Sequence, residues 1–145
     1  MLKKLSLVLS ALLVAIALVA CNNNGGGASN SVLETYLDEH RDEMEAGLTA
    51  FGDVGIDISI DVGSGNELIF TFELSDEVYD DANEGAEMLG LNLADMFDES
   101  LEDVAPIFVM MADQVRDETE LDSVTITVVY RGGGSQITRK SFDSE

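Results

Sequence analysis

The sequence predicts an α+β fold: a four-stranded antiparallel sheet made of two hairpins, with helices packed on one face, in the order α-ββ-α(α)-ββ. Three patterns carry this reading. Apolar residues recur at steps of three and four from Leu33 to Phe51 and from Val78 to Val115, as in helices that bury one stripe. They alternate singly from Ile56 to Leu74 and from Val124 to Tyr130, the period of a half-buried strand. Within those alternating stretches stand Gly63-Ser64-Gly65 and Gly132-Gly133-Gly134, the residues that hairpin turns favour.

The first helix is expected over Val32–Phe51. Ser31 and Glu34 fit a capping box, the stripe runs Leu33, Tyr36, Leu37, His40, Met44, Leu48, Phe51, and Gly52 ends it. Ile56, Ile58, Ile60 and Val62 then alternate with Asp57, Ser59 and Asp61. With Gly63–Gly65 as a three-residue loop, Ile60 faces Leu68, Ile58 faces Phe70 and Ile56 faces Phe72. That register holds all six apolar side chains on one face, and a slip by one would turn Glu67 and Glu73 into the core.

Ser75-Asp76-Glu77 opens the next helical region, with acids where a helix N-terminus is positive. The stretch to Glu118 is too long for one rod in a domain of this size. Gly85, Gly90 and Pro106 are the candidate breaks, and a short lead-in followed by one long helix, bent at or split before Pro106, is expected. The closing hairpin pairs Val124–Tyr130 with Gln136–Phe142. Arg139 and Lys140 suit an edge strand, where charge discourages pairing with another molecule.

The chain has 145 residues and 46% hydrophobic residues, enough for one domain with its own core. Seven basic against 29 acidic residues give a net charge of −22. Such a chain lacks the basic surface that nucleic acid requires. A single Cys excludes a disulfide framework or a multi-Cys metal site within one chain.

Lys3 and Lys4 precede an uncharged run from Leu5 to Ala20, the order of a secretory signal peptide and too short to span a bilayer. Its end, Leu18-Val19-Ala20-Cys21, resembles the lipobox of bacterial lipoproteins. The resemblance implies cleavage between Ala20 and Cys21 and a diacylglyceryl group on the Cys21 sulfur. It also implies an anchor in the cell membrane on its extracytoplasmic face. If the cell has an outer membrane, Asn22 after the cysteine resembles proteins sent on to it. Two acyl chains make a stable anchor where one is marginal. The expected division is 1–20 signal peptide, 21–30 lipidated cysteine and Asn/Gly/Ser tether, and 31–145 folded domain. A tether of that length spans about 17 Å, beyond the ~8 Å reach of surface charge in physiological salt.

The domain itself resembles a family of small lipoprotein domains of unknown function from Gram-positive bacteria. Leu33-Glu34-Thr35-Tyr36-Leu37, the Leu68–Phe72 strand and the Val128-Val129-Tyr130 … Ile137-Thr138 … Phe142 hairpin carry the likeness. Gly132–Gly134 and Pro106 are less typical of that family, and no catalytic residue comes with it.

Candidate chemistry is sparse. His40, the single histidine, falls on the apolar stripe and reads as a buried residue with a local hydrogen bond. A zinc site needs several N or S ligands, and a serine nucleophile needs a base beside it. Lys140, the one lysine after cleavage, sits with Arg139 on the expected edge. The paired acids follow no EF-hand order and read as solvated helix faces. The methionines after Cys21 sit at helical spacing and read as core filling. No catalytic residue, metal or cofactor is expected.

If the helices cover the even-numbered side of the sheet, Ile69, Thr71, Thr125, Thr127 and Val129 form an open face with Asp57, Ser59 and Asp61, a candidate binding surface. The expected function is a membrane-anchored, non-enzymatic binding or accessory module with an unknown protein or small-molecule partner. The alternatives are a weak divalent-cation binder and a cell-envelope hydrolase.

Overall fold

The computed structural model describes residues 29–145. The expected signal peptide, the expected Ala20–Cys21 cleavage junction and most of the expected tether lie outside the described residues. The described chain runs α1 (Ser29–Gly52), β1 (Ile56–Val62), β2 (Glu67–Leu74), α2 (Asp76–Met88), α3 (Leu93–Asp103), α4 (Ala105–Thr119), β3 (Thr125–Gly132) and β4 (Ser135–Asp143). The strands form one sheet in the order β1-β2-β3-β4. This is the expected α+β architecture with four strands and two hairpins.

The sheet is mixed, not purely antiparallel. β1 and β3 each pair antiparallel with the strand that follows, but β2 and β3 run parallel, with Leu68 opposite Ile126 and Phe72 opposite Tyr130. Hairpin loops must reverse the chain. The segment from Ser75 to Val124 holds three helices and returns it across the sheet to enter β3 from the same end as β2, as parallel neighbours require.

In the first hairpin Ile56 faces Leu74, Ile58 faces Phe72 and Ile60 faces Phe70, so each partner lies two residues beyond the expected one. The loop is Ser64–Asn66, because Gly63 still donates to the Glu67 carbonyl at 2.8 Å. Asn66 is held elsewhere: its side chain donates to the Ser123 carbonyl and its own carbonyl accepts from Thr125 N, both at 2.8 Å. A shift of two keeps every side chain on its face, so the apolar set stays together.

The second hairpin turns at Gly133-Gly134, whose φ values of +58° and +77° suit the two-residue turn of a right-twisted ribbon. Between Tyr130 and Arg131 the register shifts: Tyr130 faces Thr138 and Arg131 faces Gln136, leaving Ile137 as an extra residue. That bulge brings odd-numbered Ile137 against the core, although simple alternation would point it away from Phe142.

The helical region has two breaks, one around Gly90 and one before Pro106, and its three helices are of similar length, so the expected short lead-in and long helix are not found. Ser75 caps α2, its hydroxyl accepting from Val78 N at 3.4 Å. α2 stops before Gly90, whose φ of +69° no helix residue adopts. Asn92 caps α3 by accepting from Ala94 N at 2.8 Å. Pro106 stands in the first turn of α4, where its missing N–H costs nothing, so the expected split before it is found. α1 starts at Ser29 rather than after a Ser31 cap; Ser31 is inside the helix and its carbonyl accepts from the Thr35 hydroxyl at 2.8 Å.

All the helices contribute to one layer over the even-numbered side of the sheet. The core joins Leu33, Tyr36 and Leu37 of α1 to Phe97 and Leu101 of α3, Phe108, Met111 and Val115 of α4, and Leu68, Phe72, Ile126, Val128 and Tyr130 of the central strands. Tyr130 stacks between Phe72 and Phe97, with ring centroids 5.0 and 4.4 Å away. Phe108 stacks on Phe142 at 4.9 Å. These rings clamp α3 and α4 to β3 and β4.

Candidate functional site

The sheet's outer face gathers the residues that alternation points away from the helices. Across the strands they form rows: Asp61, Ile69, Thr127 and Ser141; Ser59, Thr71, Val129 and Arg139; Asp57, Glu73, Arg131 and Gln136. All five expected face residues are therefore brought together on β2 and β3. Ile69, Thr71 and Thr125 are half-buried, while Thr127 and Val129 are closed off at 0% and 5% exposure.

Thr127 is closed by a polar network. Its hydroxyl donates to Glu67 Oε1 at 2.6 Å and shares a 2.8 Å hydrogen bond with the Ser141 hydroxyl. Arg139 donates to the same Glu67 oxygen at 2.8 Å, so the ion pair reaches diagonally over Thr127. Thr125 donates to Asp143 Oδ1 at 2.7 Å, and Arg131 pairs with Glu73 at 3.2 Å. The alternation that placed the threonines also places Glu67 and Arg139 beside them. Sequence spacing does not reveal that the two side chains meet across β3.

β4 is an edge strand, as expected. Its two cations are engaged with opposite layers, Arg139 with Glu67 on the outer face and Lys140 with Glu102 of α3 at 2.8 Å. On the helix side Thr138 donates to Asp98 of α3.

His40 is buried, 3% exposed. Its Nδ1 lies 2.8 Å from the Tyr36 carbonyl, which can only accept, so Nδ1 carries the proton. The imidazole stacks on the Tyr36 ring at 4.3 Å. The local hydrogen bond is the expected one, but His40 Nε2 is buried without a partner, as are Tyr36 Oη and Glu118 Oε2. Glu118 is held through its other oxygen, which accepts from Gln114 at 3.0 Å. Burial first, then the negative charges of Glu118 and Glu43, raise the Tyr36 phenol well above its ordinary value. This Tyr36–His40–Glu118 grouping between α1 and α4 was not legible in the sequence, because Glu118 lies on a helix far along the chain.

Among the described residues no group of three or more His, Cys, Asp or Glu is placed to hold a metal ion. Of the methionines, Met111 is buried and Met96 half-buried as core filling requires. Met88 and Met110 are exposed, and Met88 forms an apolar tip with Leu89 and Leu91 at the α2–α3 turn. No described helix is long and apolar enough to cross a membrane.

At the β1 edge a shallow groove of about 390 Å³ lies between α1 and the strand. It is lined by Leu37, Ile60 and Val62 together with Glu34, Asp38, Arg41 and Asp61, and its exposed surface is mostly polar. Arg41 is paired with Asp38 at 3.2 Å, so the rim is net acidic.

No curated protein and no solved structure matches the chain. A family model matches residues 32–142, from the first buried residue of α1 to the last aromatic of β4. On that match the chain belongs to the family described as a domain of unknown function, DUF4854.

Proposed function

We propose that the chain is a lipid-anchored module displayed on the extracytoplasmic face of the cell membrane, binding or assisting a partner without catalysing a reaction itself. The observation that carries this reading is the placement of the single cysteine, Cys21, directly behind Leu18-Val19-Ala20 and a basic-then-apolar leader. Removal of that leader takes Lys3 and Lys4 with it and moves the formal charge from −22 to −24. A short tether then holds a strongly acidic domain off an anionic lipid surface, with its folded surfaces open to a partner.

Intact-mass analysis of protein extracted from membranes tests the anchor. The expected species begins at Cys21 and carries a diacylglyceryl group, and Cys21→Ala moves the protein out of the detergent phase. An unmodified thiol on protein that washes off membranes would remove the proposal.

A further inference from the structure

The two edges of the sheet are treated differently. β4 carries Arg139 and Lys140, both engaged with neighbours. β1 has only a partner on one side, β2, among the described residues. The backbone bonds Gly63 N to Glu67 O and Ser75 N to Gly55 O, each 2.8 Å, bracket the β1–β2 ladder. Hydrogen-bonded pairs alternate along an antiparallel ladder. Asp57, Ser59 and Asp61 therefore bond inward to β2, and the N–H and C=O groups of Ile56, Ile58, Ile60 and Val62 point outward.

Beside those groups lies the shallow α1–β1 groove, mostly polar and net acidic, with Ile60 and Val62 as its half-buried apolar residues. We infer that β1 and this groove receive an extended peptide segment that adds as a fifth strand, with apolar side chains alternating with basic ones. Main-chain bonds to Ile58 and Ile60 supply the strand pairing, as in other edge-addition complexes. The segment's apolar side chains pack on Ile60 and Val62, which are only half-buried. Its basic side chains, on the other face, meet Asp57 and Asp61, with Glu34 and Asp38 adding attraction at the rim. The same acids repel β1 of a second copy of this chain, so the edge discriminates in favour of a cationic strand.

The surface and partner stand apart from the anchor: an unlipidated Cys21 leaves them intact, and failure of the peptide experiment leaves the anchor intact. The test uses the full-length chain in detergent micelles and a fluorescently labelled, end-capped peptide of alternating valine and lysine. Saturable binding is expected, with amide exchange slowed at Ile58 and Ile60 and unchanged at Ser59 and Asp61, which already bond to β2. N-methylating the peptide amides that face β1 weakens binding about tenfold or more. Reversing Asp57 and Asp61 together, D57K with D61K, does the same, while D95K on the opposite side leaves affinity within twofold. No saturable binding overturns the inference. So does binding that ignores N-methylation, or that falls equally with D95K, because either outcome marks diffuse charge attraction without strand addition.

Discussion

At the residue scale, buried polar groups distinguish this domain from a simple apolar core. Tyr36 and Tyr130 are both held above the ordinary phenol value, Tyr130 by burial alone and Tyr36 by burial plus Glu118. An unfolded chain ionises its phenols near pH 10, whereas the folded chain keeps these two protonated to higher pH. The stability they confer is complete below about pH 10 and is lost as pH rises through their folded values. Denaturant midpoints should accordingly be flat with respect to the phenols from neutral pH to about 10 and fall beyond it. Tyrosinate absorbance from these residues should appear together with loss of helical circular dichroism. Its appearance while the helices persist would contradict the burial of the two rings. His40 shows what spacing conveys at this scale and what it omits. Its place on the stripe predicts burial and a partner one turn back, but not the Glu118 carboxylate that α4 brings beside that partner, Tyr36.

Elements are decided by a few junction residues. Gly90 separates α2 from α3 by adopting a left-handed conformation, and this break is weak in sequence because the apolar spacing continues through it. Pro106 is a stronger signal, and α4 begins with it. The β3–β4 turn allows a discriminating experiment. Gly133 and Gly134 both have positive φ, but a Cβ on Gly133 would lie 2.7 Å from Tyr79 Cε1, while one on Gly134 meets nothing within 4 Å. Gly134→Ala should cost about 1 kcal/mol from backbone strain alone. Gly133→Ala should cost about 2–3 kcal/mol, since Tyr79 must also move. Equal losses in urea unfolding would mean that the Tyr79 ring does not press on the turn. The bulge at Ile137 is a similar local decision: alternation alone assigns Ile137 to the outer face, and one extra residue in β4 returns it to the core.

At the scale of the whole molecule, charge opposes folding. Twenty-nine acids against seven basic residues repel one another across a surface with few ion pairs to offset them, and those few are mostly exposed and individually weak. Screening shortens the reach of that repulsion from about 30 Å at 0.01 M salt to about 3 Å at 1 M. Thermal unfolding of the chain should move upward by several degrees between those limits, with sodium chloride as effective as calcium chloride at equal ionic strength. A midpoint that falls with salt would show that ion pairs, not repulsion, dominate. A much larger rise with calcium would point to a specific cation site among the acids.

Amphipathic period, turn residues and the even-numbered apolar set are properties of neighbouring residues, so the chain's spelling alone determined the α+β class, both hairpins, the edge position of β4 and the helix-covered face. Pairing between segments distant in sequence depends on how three helices carry the chain across the sheet, and on which distant side chains compete for a polar atom. Tertiary structure therefore decided the parallel β2–β3 contact, the Asn66 bonds that reset the first loop, the Glu67–Arg139 pair over Thr127, and the β1 edge beside α1, unpaired on one side among the described residues. Local patterns specify a face; only packing in three dimensions specifies what that face meets.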